Sequence, residues 1–210
     1  MGIPVLIIGR SGTGKTASLR NCGENWGVIK AINKPFPFRS AMPAMVTDDY
    51  TKIKAVLAKS KASSMVIDDA GYLITNAFMK EHSNKGAGNA VYALYNSLAD
   101  NFWSLVMFIS EQLPDSKIVY IMMHEDMNDF GDVKPKTIGK LLDEKVCIEG
   151  MFTIVLRSVS ANGQYKFITQ AADGAVSKSP IGMFETLEID NDLAMVDKTI
   201  REYYGGTANE

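Results

Sequence analysis

Eight consecutive residues, Gly9, Arg10, Ser11, Gly12, Thr13, Gly14, Lys15 and Thr16, spell G-x-x-x-x-G-K-[ST] immediately after the apolar run Ile3 to Ile8. The spelling has a chemical reason. Glycines let the backbone turn tightly and bring its N–H groups against phosphate oxygens, while the start of the following helix adds positive potential. Lys15 then reaches the β- and γ-phosphates and the Thr16 hydroxyl ligates Mg²⁺, with Ala17 completing the phosphate cradle. A packing turn has no use for Lys-Thr at this register. The expected ligand is a nucleoside triphosphate with Mg²⁺.

Two further clusters carry acids. Asp68 and Asp69 close the apolar Met65-Val66-Ile67, and His124 and Glu125 close Ile118 to Met123. Asp68 fits the acid that holds Mg²⁺ together with Thr16, partly through water. Asp69 fits a base that orients the attacking water, or a cap on the helix that begins at Gly71. Glu125 is the second candidate for the water-polarising acid, and His124 reads either as a sensor of the γ-phosphate or as a hydrogen-bonded structural residue at the strand end. Hydrolysis also needs positive charge near the leaving phosphate. Arginine is confined to Arg10, Arg20, Arg39, Arg157 and Arg201. A cation supplied by a neighbouring subunit is therefore Arg157, Arg201 or a lysine. Lys178, expected on an exposed loop after a hairpin, leads that group, beside the plainer reading of a solvated lysine.

The elements that would position these residues follow from pattern. Thr16 to Cys22 reads as a short helix, Trp26 to Ile32 as a strand stopped by Asn33-Lys34-Pro35-Phe36-Pro37-Phe38, and Asp48 to Ala58 as an Asp-capped helix. Gly71 to Met79 is helical, and His82 to Gly88 a polar loop. Apolar residues at helical spacing from Asn89 through Leu113 predict one long packed helix. Phe152 to Val159 and Tyr165 to Thr169 flank Asn162-Gly163, the signature of a hairpin. Asn191 to Tyr204 is a last helix, with a frayed tail behind it. Alternating buried strands and helices imply an α/β fold with a mostly parallel sheet between helices, its ligand beyond the carboxyl ends of the strands.

Composition narrows the class. The 210 residues fit a single domain spanning 1–210. Lys and Arg total 22 against 24 Asp and Glu, net −2, so no global basic field advertises nucleic acid. Any DNA contact must be local, and the segment with Lys134, Lys136, Lys140 and Lys145 among Asp129, Asp132 and Asp143 is the candidate. Phe130 and Phe152 would offer stacking faces there, burial being the plainer fate of Phe152. The N-terminal apolar run is too short for a signal peptide or a membrane span. Cys22 and Cys147 lack metal or redox spacing and read as buried thiols of a reducing cytoplasm.

The sequence resembles the phage-encoded, RecA-like P-loop ATP-binding proteins, a group that includes single-strand-annealing recombinases. The likeness runs through Gly9 to Thr16, Asn33 to Phe38, Val66 to Asp69 and His124-Glu125. It continues through Lys136 to Lys140, Ile148 to Phe152, Lys178 to Phe184 and Ile189 to Leu193. It implies a RecA/AAA-like core with a C-terminal β-hairpin and helix. It also implies ATP turnover coupled to phage DNA recombination or replication, in a ring or filament, in the cytoplasm of a bacterial host. Single-stranded DNA and a single-strand-binding protein are the implied partners. One departure stands out: RecA proteins present a glutamate near the end of the second strand, and Val28 to Asn33 contains no acid. Two other readings compete, a small nucleotide or metabolite kinase and a nucleotide-binding assembly switch with negligible turnover.

Overall fold

The computed structural model describes residues 1–84, 89–138, 146–171, 174 and 176–205. Its centre is a sheet whose strands are β1 (Ile3–Gly9), β2 (Trp26–Lys30), β3 (Ala44–Val46), β4 (Ser64–Asp68), β5 (Ile118–Met127), β7 (Ile154–Ala161), β8 (Gln164–Ile168) and β9 (Glu188–Asp190). They lie in the order β3-β2-β4-β5-β1-β7-β8-β9. A short β6 (Val133–Pro135) pairs with the far end of β5. From β3 to β7 every pairing is parallel, and β8 and β9 add an antiparallel edge.

The order explains the burial pattern. Along β1, Leu6 and Ile8 join one apolar cluster and Val5 and Ile7 the other, so both faces are covered. Parallel strands of this kind carry near-continuous apolar runs because helices pack on both sides. One face takes α1 (Tyr50–Lys59), α2 (Gly71–Glu81) and the 24-residue α3 (Asn89–Gln112), whose Leu98, Phe102, Leu105 and Ile109 are buried in it. The other takes α4 (Leu193–Gly205) through Leu193, Val196 and Ile200. A strand stands between β1, which leads into the phosphate loop, and β4, which ends in Asp68. That inserted strand is β5.

Several elements differ from their sequence expectations for identifiable reasons. The segment after the phosphate loop is a 3-10 helix over Thr16–Asn21. Within it the Ser18 hydroxyl donates to the Lys15 carbonyl at 2.6 Å, and the Ser18 N–H is shared between Gly14 and Lys15. A side chain bonding its own backbone competes with the regular α-helical ladder. β5 continues four residues beyond Met123, because Glu125 to Met127 pair with β6. His124 and Glu125 therefore lie inside a strand and not at its tip. The hairpin is built as expected, with Asn162 and Gly163 at φ 52° and 77°, but β7 joins the main sheet beside β1. Cys147 is exposed, not buried. Residues 85–88 of the polar loop, Lys140, Asp143 and Lys145 of the basic segment, and the tail after Gly205 lie outside the described residues.

The amino ends of the strands are tied by a polar cluster. Asp197 of α4 accepts from the hydroxyls of Ser64 (2.7 Å) and Tyr120 (2.9 Å) and from Arg201 Nε (2.7 Å). Arg201 also reaches the carbonyls of Ser63 and Ser116. Its guanidinium holds α4 to the end of the sheet opposite the phosphate loop of its own subunit.

Candidate functional site

The phosphate loop leaves β1 at Gly9 and turns through Gly12 and Gly14, at φ 81° and 94°. Those left-handed angles favour glycine. Gly14 has a second reason to be glycine. A Cβ there would sit 2.7 Å from the Tyr165 ring, whereas at Gly12 it would meet nothing within 4 Å. Gly14→Ala is therefore expected to deform the loop and cost both melting temperature and nucleotide affinity. Gly12→Ala should cost about 1–2 kcal/mol from its backbone angle alone. Thermal denaturation of the two variants compares them, and equal losses would remove the packing argument.

Lys15 is buried and curls back onto its own loop, donating to the carbonyls of Gly9 (2.7 Å) and Arg10 (2.8 Å). Burial pulls its pKa down to about 8, against the raising influence of Asp69, Asp68 and Glu125. Thr16 Oγ1 lies 3.0 and 3.2 Å from the two carboxylate oxygens of Asp68. Topology places the pair: β4 is two strands from β1, yet its end and the start of the 3-10 helix converge over β5. Burial, and then Asp69, push the Asp68 carboxyl above its usual range, with the Thr16 hydrogen bond opposing. A hydroxyl and a carboxylate in contact are hard oxygen ligands of the kind Mg²⁺ takes alongside phosphate oxygens and water. No group of three or more His, Cys, Asp or Glu among the described residues is arranged to hold a metal ion by itself. The donor set thus fits an ion held jointly with a nucleotide better than an all-protein cage.

Asp69 follows at φ 56°, in the left-handed region that Asp tolerates better than most residues. Its Tyr72 N–H contact is through the backbone carbonyl, and its side chain faces the site. There it forms an ion pair with Lys34 and lies 3.5 Å from His124 Nε2. Burial alone would raise its pKa, but the contacts from His124 and Lys34 outweigh that and hold it at about 2. Such a carboxylate stays ionised and is able to accept a hydrogen bond from water. His124 sits beside Gly9 in the β1–β5 register, with its ring edge-on to Tyr72.

Glu125 is differently employed. Both of its oxygens accept from Arg157, Nε at 2.8 Å and Nη2 at 2.9 Å, and Arg10 stands 3.7 Å away. A bidentate pair of this kind neutralises the carboxylate and fixes the guanidinium. Glu125 is thus an anchor for two arginines, whereas Asp69 lines the phosphate-loop cavity. Arg157, beside Ile8 on the adjacent strand, is committed to the same subunit. Lys178 is half-buried, and its backbone exchanges both hydrogen bonds with Val155, which stands beside Leu6 in mid-sheet. It is neither on an exposed loop nor at the phosphate end of its own subunit.

Two residues of the site escaped sequence reasoning. Lys34, expected only as part of a strand-stopping segment, reaches into the phosphate-loop cavity from the loop after β2. Tyr165 packs on Gly14 and lines the same cavity, offering a face beyond the phosphates. Next to that cavity lies another, of about 650 Å³, lined by Arg10, Tyr72, Lys136 and Thr137 and sharing Ser11, Lys34 and His124 with it. Ala17 lines the first cavity and not the second.

No protein-family model matches the chain, and no curated protein does. Among solved structures it is similar to a KaiC-like protein of the hyperthermophilic archaeon Pyrococcus horikoshii OT3, at 14% identity and a TM-score of 0.44. That superposition covers 79% of this chain and 77% of the other.

Proposed function

We propose that this protein binds and hydrolyses ATP with Mg²⁺, and that turnover serves single-stranded DNA in phage recombination, strand annealing or replication. The observation that carries the ATPase reading is the Thr16 hydroxyl in contact with Asp68, beside a buried Lys15. Thr16 and Asp68 would hold Mg²⁺, which would supply neutralisation of phosphate charge. Lys15 exchanges its loop carbonyls for the β- and γ-phosphates. Asp69 orients a water whose oxygen bonds to the γ-phosphorus as the bond from that phosphorus to the β–γ bridging oxygen breaks. The proton leaves with the phosphate product.

The DNA reading rests on the resemblance to phage RecA-like proteins and on local features at the same end of the sheet. Arg10 and Lys136 line the adjoining cavity, and Phe130 stands 92% exposed at the tip of the β5–β6 hairpin. Backbone charge and an aromatic face are what single strands offer and need. Self-association into a ring or filament, a single-strand-binding partner and a place in the host cytoplasm belong to the same reading. No described helix is long and apolar enough to cross a membrane.

Phosphate release with and without single-stranded DNA tests the function. Stimulation supports the DNA-coupled ATPase. Turnover only with a small phosphoacceptor would make the protein a kinase, and tight binding without turnover would make it a switch.

The titration of Lys15 yields a second expectation. With the free-state pKa at about 8, the lysine is charged below that pH and binding leaves its protonation unchanged. Above it the free protein has lost the proton, which the phosphates must restore. ATP affinity should therefore be flat below pH 8 and fall above it, by up to about tenfold per unit. Calorimetry near pH 8.5 in two buffers of different ionisation enthalpy should show proton uptake on binding. Affinity unchanged between pH 7 and 9.5 would contradict this picture of Lys15.

A further inference from the structure

We propose that Lys34 is the γ-phosphate cation of this site, acting within its own subunit. It rests on Asp69 without triphosphate, and moves to the γ-phosphate when ATP binds. The move frees Asp69 to hold the attacking water. The inference rests on the ATP-binding reading above.

The two partners differ in freedom. Asp69 is 4% exposed, its backbone fixed between β4 and α2, and His124 stands on its other oxygen. Lys34 is 46% exposed and lines both the phosphate-loop cavity and the one adjoining it. Its backbone does not need to move. The Lys34 carbonyl accepts from Lys30 Nζ at 2.9 Å, and Lys30 lies over the Phe36 ring at 3.4 Å, which fixes the loop after β2. What remains mobile is a four-carbon stem ending in a compact charge.

Charge decides which partner it takes. A γ-phosphate carries more negative charge than the Asp69 carboxylate and several acceptor oxygens. ADP has no group at that place, so Lys34 keeps its hold on Asp69 in the diphosphate state. Of the other cations near the loop, Arg157 is held by Glu125 and Lys15 by the loop it must leave, and Arg10 and Lys136 line the adjoining cavity but not the phosphate-loop cavity that Lys34 enters. Lys34 also stands where the sequence lacks the expected second-strand acid. The site thus carries a cation from the loop after β2 and an acid, Asp69, just after β4.

The test compares Lys34→Ala and Lys34→Arg with the unaltered protein, measuring ADP·Mg²⁺ and ATPγS·Mg²⁺ affinity by calorimetry and phosphate release. Lys34→Ala should leave ADP affinity within about twofold and lower the preference for the triphosphate tenfold or more. Its turnover should fall by about 10²-fold, the loss typical of removing one transition-state charge contact. Lys34→Arg should recover part of the triphosphate preference. Unchanged preference with ADP still bound overturns the proposal, as does a variant whose ADP and ATPγS affinities fall together, since Lys34 is then only structural. If the unaltered protein binds neither nucleotide, it is the ATP-binding reading that fails.

Discussion

Lys15→Ala should lose ATP affinity by about 10²- to 10³-fold and abolish measurable turnover. The lysine is buried among three carboxylates, and Asp69, Asp68 and Glu125 all favour its charge. Removing it takes away the phosphate-binding cation and leaves those acids facing an incoming polyanion. Breaking one partner out of a buried charge arrangement costs about 3–5 kcal/mol, and each 1.4 kcal/mol is about tenfold in affinity. Lys15 also donates to the carbonyls of Gly9 and Arg10, so the variant needs a melting curve beside its calorimetry. A folded Lys15→Ala protein with undiminished ATP affinity would overturn the phosphate-loop assignment itself.

What the sequence made legible was the part specified by local chemistry. The phosphate loop depends on a contiguous spelling, α3 on a sustained helical period, and the β7–β8 hairpin on Asn-Gly between alternating residues. Three-residue strands such as β3 and β9 carry too little pattern to be read, and they form because a longer neighbour supplies their hydrogen bonds. The same limit applies to the site. Asp68 announced itself at the end of an apolar run. Its meeting with Thr16 depends on β5 lying between β1 and β4, which no local signal specifies. Glu125 and Arg157 are 32 positions apart and became partners only when β1 placed their strands on either side of it. Lys34 was hidden for another reason. Flanking prolines and phenylalanines marked a chain break, and a lone lysine in a break reads as solvated surface. The absence of an acid after β2 was the visible signal; a cation in its place was the unread half.

The adjacent acids Asp68 and Asp69 should separate by role when each is changed. Asp68→Ala removes the carboxylate against Thr16, so Mg²⁺-dependent nucleotide binding and turnover should fall together. Asp69 is directed at Lys34 and His124 and has no contact with Thr16. Asp69→Asn keeps size and one acceptor oxygen but loses the charge. It should bind ATP·Mg²⁺ at least as tightly, because Lys34 is no longer claimed by a carboxylate, yet hydrolyse it about 10²-fold or more slowly. Glu125→Gln is the decisive comparison. Its carboxylate is occupied by Arg157 through both oxygens, so its loss should disturb the arginines and leave turnover within about tenfold of the parent. Single-turnover phosphate release, measured at saturating ATP, removes differences in binding from the comparison. Normal turnover in Asp69→Asn together with failure of Glu125→Gln would transfer the water to Glu125. The ion pair with Arg157 would then have to open during each cycle, and the Lys34–Asp69 contact would be structural.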